Sequence, residues 1–297
     1  MTDYHRIGLI GRLGSTKVIE TLKQMTRYLQ ERGFAVVLDK RIAELMPGHP
    51  YEEGTQKEMG ESCDLVIVVG GDGSLLGAAR ALAKCDVPVL GVNRGNLGFL
   101  TDISPAEFEE RFEEILDGKF IEEERFLLKL KVIRNGEIIG QGDALNDMVL
   151  HPGKATRMIE FDLYIEDEFV YTQRSDGLIV STPTGSTAYS LSGGGPIMHP
   201  KLDAIVLVPM FPHTLSSRPI VVDSSSELRL IISDENDTYP TVSCDGQISF
   251  SLAPGDVIQI NKKRDKLKLL HPLDYNFYQT CSEKLGWSAG LTRKKYS

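Results

Sequence analysis

The sequence predicts two domains: an α/β domain with a mostly parallel, Rossmann-like sheet, and an all-β, sandwich-like domain after it. Residues 65–69 are uniformly apolar, as in a parallel strand that is covered on both faces. Between such runs, apolar residues recur at helical spacing through the first 124 residues. After residue 124, apolar and polar residues alternate with a period of two, which is typical of half-buried strands.

Strands and helices alternate in the predicted first domain, residues 1–124. Gly33 provides a helix stop, and Ser104, Pro105 and Glu107 together predict a capped helix start just before Phe108. The predicted strands are 6–10, 34–38, 64–69 and 88–92, and the predicted helices are 16–32 and 74–83. Strands that alternate with helices of this size favour a parallel sheet.

The predicted second domain, residues 125–270, is rich in short strands. Asn135-Gly136 between two alternating runs is a strong hairpin signal. Only one helix-sized gap, residues 187–192, interrupts the strands. A tail, residues 271–297, contains several aromatic residues and ends in the basic run 293–295. The aromatic residues indicate that the tail packs against the protein.

Composition excludes some classes of partner. The chain has 297 residues, with 33 Lys and Arg against 42 Asp and Glu, and a net charge of −9. Such a chain repels nucleic-acid backbones and anionic membrane surfaces. No apolar stretch approaches the roughly 20 residues that span a bilayer, and the N-terminus does not resemble a secretion signal. We therefore expect a cytoplasmic protein without nucleic-acid or membrane partners.

The first chemical motif is Gly70-Gly71-Asp72-Gly73, between a buried strand and a helix. Backbone N–H groups at such a turn form a cradle for phosphate. An aspartate there suits a hydrogen bond or proton from a hydroxyl group, or a bound Mg²⁺. Alternatively, Asp72 only caps the helix. The motif is neither a Walker A loop nor a G-x-G-x-x-G fingerprint.

Two later clusters combine polar residues with apolar surroundings. Asn146 and Asp147 either fix a turn or bind hydroxyl groups of a ligand. Asp176-Gly177 and residues 181–196 bring together hydroxyl groups, glycines and Tyr189. This pattern indicates a ligand loop with a short helix more than a flexible surface loop. Residues 243–247 are a lesser candidate, which could equally be a β-turn.

These motifs, in this order and together with residues 93–100, resemble those of bacterial NAD kinases over nearly the whole chain. Phosphofructokinases and diacylglycerol-type lipid kinases share the Gly-Gly-Asp-Gly element, but the later motifs distinguish them. The resemblance implies transfer of the terminal phosphoryl group of ATP to the 2′-hydroxyl of the adenosine ribose of NAD, which gives NADP. The alternatives are another small-molecule or lipid kinase, or a catalytically silent dinucleotide sensor.

The resemblance also implies roles for particular residues. Asp72 contacts the ribose hydroxyl as proton acceptor or orienting group, Gly73 lets the backbone approach the ligand, and Asn146 and Asp147 bind hydroxyl or base groups. Further NAD contacts are expected from Arg157, Arg174, Asp176, Thr187, Ala188, Tyr189, Ser190, Leu191, Ser192 and Gln247. Of these, Tyr189 offers a face for stacking.

The resemblance extends to cofactors and assembly. Mg²⁺ or another divalent cation is expected with ATP, and Asp72 and Asp245 are possible but not compelling protein ligands. A homodimer or homotetramer is expected, with the tail at residues 271–297 returning to the first domain.

Overall fold

The protein is described by a computed structural model over residues 4–95, 98–153, 157–237 and 239–287. The chain forms two compact units. The first comprises Met1–Leu75, Pro88–Glu123 and Leu269–Ser297, and the second comprises Leu76–Val87 and Glu124–Lys268. The division predicted at residues 124 and 270 stays a prediction. Asn96 and Leu97 of the predicted motif, and the basic run 293–295, lie outside the described residues.

A parallel sheet organises the first unit, in the order β3-β2-β1-β4-β5. Its strands are β1 (Arg6–Gly11), β2 (Ala35–Asp39), β3 (Glu52–Gly54), β4 (Leu65–Gly70) and β5 (Pro88–Asn93). Every residue of β4 is buried, which agrees with its apolar sequence. The predicted parallel sheet is confirmed, and the short edge strand β3 was not predicted.

Five helices precede and follow these strands: α1 (Thr16–Glu31), α2 (Lys40–Ala43), α3 (Gln56–Ser62), α4 (Asp72–Leu82) and α5 (Phe108–Leu116). The Ser15 hydroxyl accepts a hydrogen bond from the Val18 N–H and so caps α1. The buried face of α1 carries Val18, Leu22, Met25 and Leu29 at helical spacing. Helix α4 begins at Asp72, two residues earlier than predicted.

The predicted cap of the next helix is wrong. Helix α5 begins at Phe108, after a turn over residues 105–107, and Glu107 occupies the N-cap position without a side-chain cap. The Ser104 hydroxyl instead donates a hydrogen bond to the Glu107 carboxylate. Because the two side chains satisfy each other, neither is left for the helix N–H groups.

Two sheets form the second unit. One has the order β10-β9-β14-β17, with β6 pairing to both β17 and β7, and the other has the order β13-β12-β11-β8-β15-β16. The strands are β6 (Phe120–Arg134), β7 (Glu137–Ala144), β8 (Asp147–His151), β9 (Ile159–Ile165), β10 (Glu168–Ser175), β11 (Gly177–Ser181), β12 (Ala204–Met210), β13 (Ile220–Asp223), β14 (Leu228–Ile232), β15 (Thr241–Cys244), β16 (Ile248–Ser251) and β17 (Val257–Pro272).

The core of the second unit lies between these sheets, as in the predicted sandwich. Phe161 and Leu230 of the first sheet and Leu178 and Leu207 of the second belong to one buried cluster. The opposite face of the second sheet is also covered, because Ile179 and its neighbours pack with Met198. This double coverage explains why β11 and β12 are mostly apolar.

Turns and the C-terminal helix complete the fold. Asn135 and Gly136 join β6 to β7 with φ of +51° and +83°, which confirms the predicted hairpin. A 3₁₀ turn at Thr184–Thr187 and helix α6 (Tyr189–Ser192) fill the predicted helix-sized gap. Helix α7 (Phe277–Leu285) lies in the C-terminal tail. Over the residues described, no helix is both long and apolar enough to cross a bilayer.

Candidate functional site

Asp72 lies where β4 passes into α4, and its carboxylate faces the loop of residues 98–101. Asp72 Oδ2 accepts a hydrogen bond from the Phe99 N–H at 2.9 Å. Asp72 Oδ1 accepts from the Leu100 N–H at 3.1 Å and from the Thr101 hydroxyl at 3.2 Å. These partners lie far along the chain from α4, so Asp72 does more than cap its own helix. The residue remains partly exposed.

The loop approaches Asp72 closely because residue 98 is glycine. A Cβ atom at Gly98 would stand 2.1 Å from Asp72 Oδ1 and 2.4 Å from Thr101 Oγ1. Contacts this short do not occur, so a side chain at residue 98 would displace the carboxylate or the loop. By contrast, a Cβ atom at Gly73 would meet nothing within 4 Å. The space on the Cβ side of Gly73 is therefore open among the described residues.

Asp245 holds the kink between β7 and β8, where Asn146 and Asp147 lie. Its carboxylate accepts hydrogen bonds from the N–H groups of Leu145 at 3.0 Å, Asn146 at 2.8 Å and Asp147 at 3.3 Å. The Asp245 side chain is fully buried and pairs with Arg80 at 3.3 Å. Asp245 and Gly246 have φ of +50° and +62°, so the suspected β-turn is present between β15 and β16.

Burial controls the protonation of this pair of carboxylates. Burial raises the pKa of Asp147 to about 7, and the nearby charge of Asp245 adds to that rise. Burial also raises the pKa of Asp245, although the three backbone N–H groups and Arg80 oppose the rise. No described group donates a hydrogen bond to the Asp147 carboxylate. With a pKa of about 7, Asp147 can change protonation near neutral pH.

The loop after β11 is hydrogen-bonded to the kink between β7 and β8. The Thr182 hydroxyl donates to the Leu145 carbonyl at 2.6 Å, and the Thr182 N–H donates to the Asn146 carbonyl at 2.9 Å. A Cβ atom at Gly185 would stand 2.2 Å from the Asn146 carbonyl oxygen, so only glycine fits there. Residues 181–186 are buried. The alternative of a flexible surface loop is therefore wrong for this stretch.

A cleft of about 780 Å³ opens between the kink and this loop, a volume typical of small-molecule sites. Six of the predicted residues line it: Asn146, Asp147, Arg157, Asp176, Ala188 and Tyr189. Tyr189 is 50% exposed, so its side chain is accessible to a ligand. The Asn146 Oδ1 atom is buried and has no hydrogen-bond partner in the part of the chain that the structure describes. A buried acceptor of this kind is available to a ligand hydroxyl or amino group.

Other predicted residues lie outside this cleft. Arg174 lines a neighbouring cleft of about 730 Å³, which Arg157 and Asp176 share. Gln247 instead accepts a hydrogen bond from Arg80 at 2.6 Å through its Oε1 atom. The predicted residues of the 187–192 stretch that do not line either cleft are Thr187, Ser190, Leu191 and Ser192. Asp72 and Gly73 belong to the first unit.

Sequence reasoning missed several residues that line the larger cleft. They are Val149, His151, Pro152, Met210 and Phe211. Ser243, Asp245 and Gly246 also line the cleft and belong to the lesser candidate motif at residues 243–247. Phe211 is 83% exposed and has φ of +44°, an unusual conformation for an aromatic residue. Its position at the end of an apolar strand gave no signal of this. The motif at residues 243–247 did contain the signal for Asp245.

The acidic residues do not form a cage for a divalent cation. Among the described residues, no group of three His, Cys, Asp or Glu side chains is arranged to hold a metal ion. Both oxygens of Asp72 already accept hydrogen bonds, and Asp245 is saturated by three N–H groups and Arg80. Asp245 therefore has no free lone pair for a metal ion, whereas the partly exposed Asp72 keeps one on Oδ2.

Comparison with known proteins gives concordant results along the chain. Residues 7–120 match the family model described as the ATP-NAD kinase N-terminal domain, and residues 145–272 match the ATP-NAD kinase C-terminal domain. The chain is 66% identical over 289 residues to the NAD kinase of Hahella chejuensis, covering 97% of this chain and 98% of that one. It is 62% identical over 291 residues to the NAD kinase of Pseudomonas entomophila, covering 98% of each chain.

Solved structures share the fold. A yeast NADH kinase complexed with NADH superposes with a TM-score of 0.88 at 25% identity, covering 99% of this chain and 91% of that one. An NAD kinase from Archaeoglobus fulgidus in complex with ATP gives a TM-score of 0.71 at 24% identity, covering 95% of this chain and 97% of that one.

Proposed function

The chain belongs to the ATP-NAD kinase family, and from that premise we propose how its residues carry out the reaction. The reaction transfers the terminal phosphoryl group of ATP to the 2′-hydroxyl of the adenosine ribose of NAD, giving NADP. Phosphoryl transfer asks little covalent chemistry of a protein, so positioning and charge placement dominate.

Asp72 is the residue that orients or deprotonates the 2′-hydroxyl. Three hydrogen-bond donors hold its carboxylate in one orientation, and the residue is still partly exposed. A fixed carboxylate can accept the hydroxyl proton as the hydroxyl oxygen attacks the γ-phosphorus of ATP and ADP leaves. The open space beside Gly73 lets the ligand approach the backbone there.

The larger cleft of the second unit binds NAD. The observation that carries this assignment is the convergence of polar groups on one 780 Å³ cleft: the orphaned Asn146 Oδ1, the Asp147 carboxyl group and the Asp176 carboxylate. Asn146 and Asp147 bind ribose hydroxyl or base groups, and Tyr189 and Ala188 form a face for a ring. Thr187, Ser190, Leu191 and Ser192 shape the loop around the dinucleotide, and Gln247 contributes a further contact.

Arg157 and Arg174 supply positive charge for the dinucleotide phosphates. A chain with a net charge of −9 needs local cations to bind two anionic substrates. Arg157 is largely exposed and pairs with Asp237 at 2.9 Å, an interaction that a phosphate group can replace. Both arginines line one cleft together with Asp176.

Assembly and the divalent cation are further parts of the proposal. Mg²⁺ or another divalent cation enters with the phosphates of ATP, since the described residues contain no cluster of three side chains that could hold it alone. The protein is cytoplasmic, forms a homodimer or homotetramer, and its tail at residues 271–297 packs on the first domain of residues 1–124. Light scattering at micromolar concentration tests the assembly, and a 33-kDa particle would contradict it.

A coupled assay tests the role of Asp72. The protein is incubated with ATP, Mg²⁺ and NAD, and NADP is measured with an NADP-specific dehydrogenase. Asp72→Asn is expected to reduce kcat by about 10²–10⁴-fold, the usual contribution of a positioned proton acceptor, and to retain NAD binding. Asp117→Asn is the matched control, because Asp117 is an exposed residue whose side chain pairs with Lys119 at the surface.

Other results would point elsewhere. Retained activity in Asp72→Asn would remove Asp72 from the mechanism. NAD binding without any NADP from the wild-type protein would favour a dinucleotide sensor. Absence of NAD binding by the folded wild-type protein would favour a kinase with a different hydroxyl substrate.

A further inference from the structure

The loop that holds Asp72 is itself held from its other end. Residues 99–101 donate the hydrogen bonds to the Asp72 carboxylate, and Asp102 follows directly. The Asp102 Oδ2 atom is 2.8 Å from Nδ1 of His271, at the end of β17. The hydrogen bond from His271 is the only one that the Asp102 carboxylate receives within the described parts of the chain. The residue that His271 contacts, Asp102, is therefore adjacent in sequence to Thr101, which contacts Asp72.

His271 is itself rigidly placed. Its side chain is 1% exposed, and its ring stacks on Tyr275 with centroids 4.0 Å apart and planes 13° from parallel. Its Nε2 atom faces the Glu123 carboxylate at 3.8 Å, beyond hydrogen-bond distance, and has no hydrogen-bond partner among the described residues. The imidazole thus uses Nδ1 as its hydrogen-bonding atom, and that bond is directed at Asp102.

Removal of this bond would disturb the loop rather than the residues around His271 alone. The Asp102 side chain is 10% exposed, and its Oδ1 atom is buried with no hydrogen-bond partner over the described ranges. A buried carboxylate that loses its one donor is costly and moves toward water. Because Thr101 is the preceding residue, such a movement would draw the Thr101 hydroxyl and the Leu100 N–H away from Asp72.

We propose that His271 is a positioning residue for phosphoryl transfer: through Asp102, it holds the loop of residues 99–101 that fixes the Asp72 carboxylate. This inference rests on the proposed role of Asp72. It ties the C-terminal tail to the chemistry, since His271 and its stacking partner Tyr275 both belong to that tail. His271 touches no reacting atom and acts only through Asp102.

A pair of amide variants tests the proposal. In His271→Asn the side-chain amide can reach the position of Nδ1 and donate to Asp102, whereas in His271→Gln the amide extends toward the position of Nε2. Both variants lose the imidazole stack on Tyr275, so each controls for packing in the other. We expect His271→Gln to lower kcat about tenfold with KM for NAD and ATP nearly unchanged, the loss attached to one charge-assisted hydrogen bond. His271→Asn is expected to recover most of kcat.

A double-mutant cycle locates the path of the effect. In an Asp102→Asn background, His271→Gln is expected to cause little further loss of kcat, because the bond it breaks is already altered. Equal losses in His271→Asn and His271→Gln at equal Tm, or unchanged kcat in His271→Gln, would overturn the proposal. So would independent, multiplicative losses in the cycle.

The Asp72→Asn variant, measured in the same assay, separates this inference from its premise. An inactive Asp72→Asn beside a fully active His271→Gln would reject the role of His271 alone. A fully active Asp72→Asn would reject the role of Asp72, and the positioning role of His271 with it.

Discussion

Two aspartates in this protein bind backbone N–H groups in almost the same way, yet their surroundings differ. Asp72 accepts two N–H groups and one hydroxyl and remains partly exposed. Asp245 accepts three N–H groups, pairs with Arg80 and is fully buried. The saturated carboxylate can only organise the chain around it. The partly exposed one keeps a side that a substrate can reach.

The difference between Asp72 and Asp245 indicates that the exposure of a carboxylate determines whether it has a structural or a chemical role. A buried carboxylate that is fully paired resists ligands, because each of its lone pairs already has a donor. Loss of such a group leaves buried N–H groups without an acceptor and a guanidinium without its counter-ion. A partly exposed carboxylate is less expensive to lose, since water replaces the missing acceptor.

The same substitution at Asp245 and at Asp72 tests most directly whether the two carboxylates have different roles. Asp245→Asn places an NH₂ group against backbone N–H donors and removes the charge opposite Arg80, so we expect a loss of about 3 kcal/mol or more in unfolding free energy. Asp72→Asn is expected to cost about 1 kcal/mol, because solvent reaches that site. Urea unfolding measures both, and equal losses would contradict the assignment of roles.

Two glycine substitutions test the packing around Asp72. Gly98→Ala places a Cβ atom 2.1 Å from Asp72 Oδ1, so we expect lower kcat together with a loss of about 1–3 kcal/mol in unfolding free energy. Gly73→Ala meets no protein atom within 4 Å and should not lower that free energy. Under the proposed function, it should still reduce activity by blocking the ligand. Full activity in Gly73→Ala would show that the ligand does not approach there.

The titration of Asp147 is expected to have a smaller effect, on the pH dependence of the unfolding free energy. The pKa of Asp147 is raised by burial from 3.8 to about 7. The stability linked to its proton is fully present below pH 3.8 and is lost as the pH rises toward 7. Asp147→Asn removes this titration. The difference in unfolding free energy, wild type minus Asp147→Asn, should fall between pH 4.5 and 7 and then level off. A difference that is flat over this range would exclude the raised pKa.

The fold was predictable where one segment carries its own signal. Strand β4 shows burial on both faces in its own composition, and the β6–β7 hairpin shows its turn in Asn135-Gly136. The start of α5 was predicted wrongly because Ser104 and Glu107 bind each other, an alternative that the same residues allow equally. The local sequence shows which groups are able to pair, but the pairs that form depend on the folded structure around them.

The candidate site was predictable as motifs but not as contacts. Asn146, Asp147, Asp176 and Tyr189 were identified and line one cleft. The pairing of Asp245 with amide groups about 100 residues earlier carries no local signature, and neither does the bond between Arg80 and Gln247. A short turn sequence looks the same whether its aspartate faces solvent or fills a buried kink.

The long reach of Asp245 also has a consequence for the order in which the protein folds. The carboxylate and the Leu145 N–H that it binds are 100 residues apart, and the turn that presents it lies between β15 and β16. Contacts this distant in sequence carry a high loop-closure entropy and tend to form after local ones. The kink at Asn146 and Asp147 therefore acquires its final shape only once the β15–β16 hairpin has docked, so a chain interrupted before that hairpin would hold an unfinished NAD cleft.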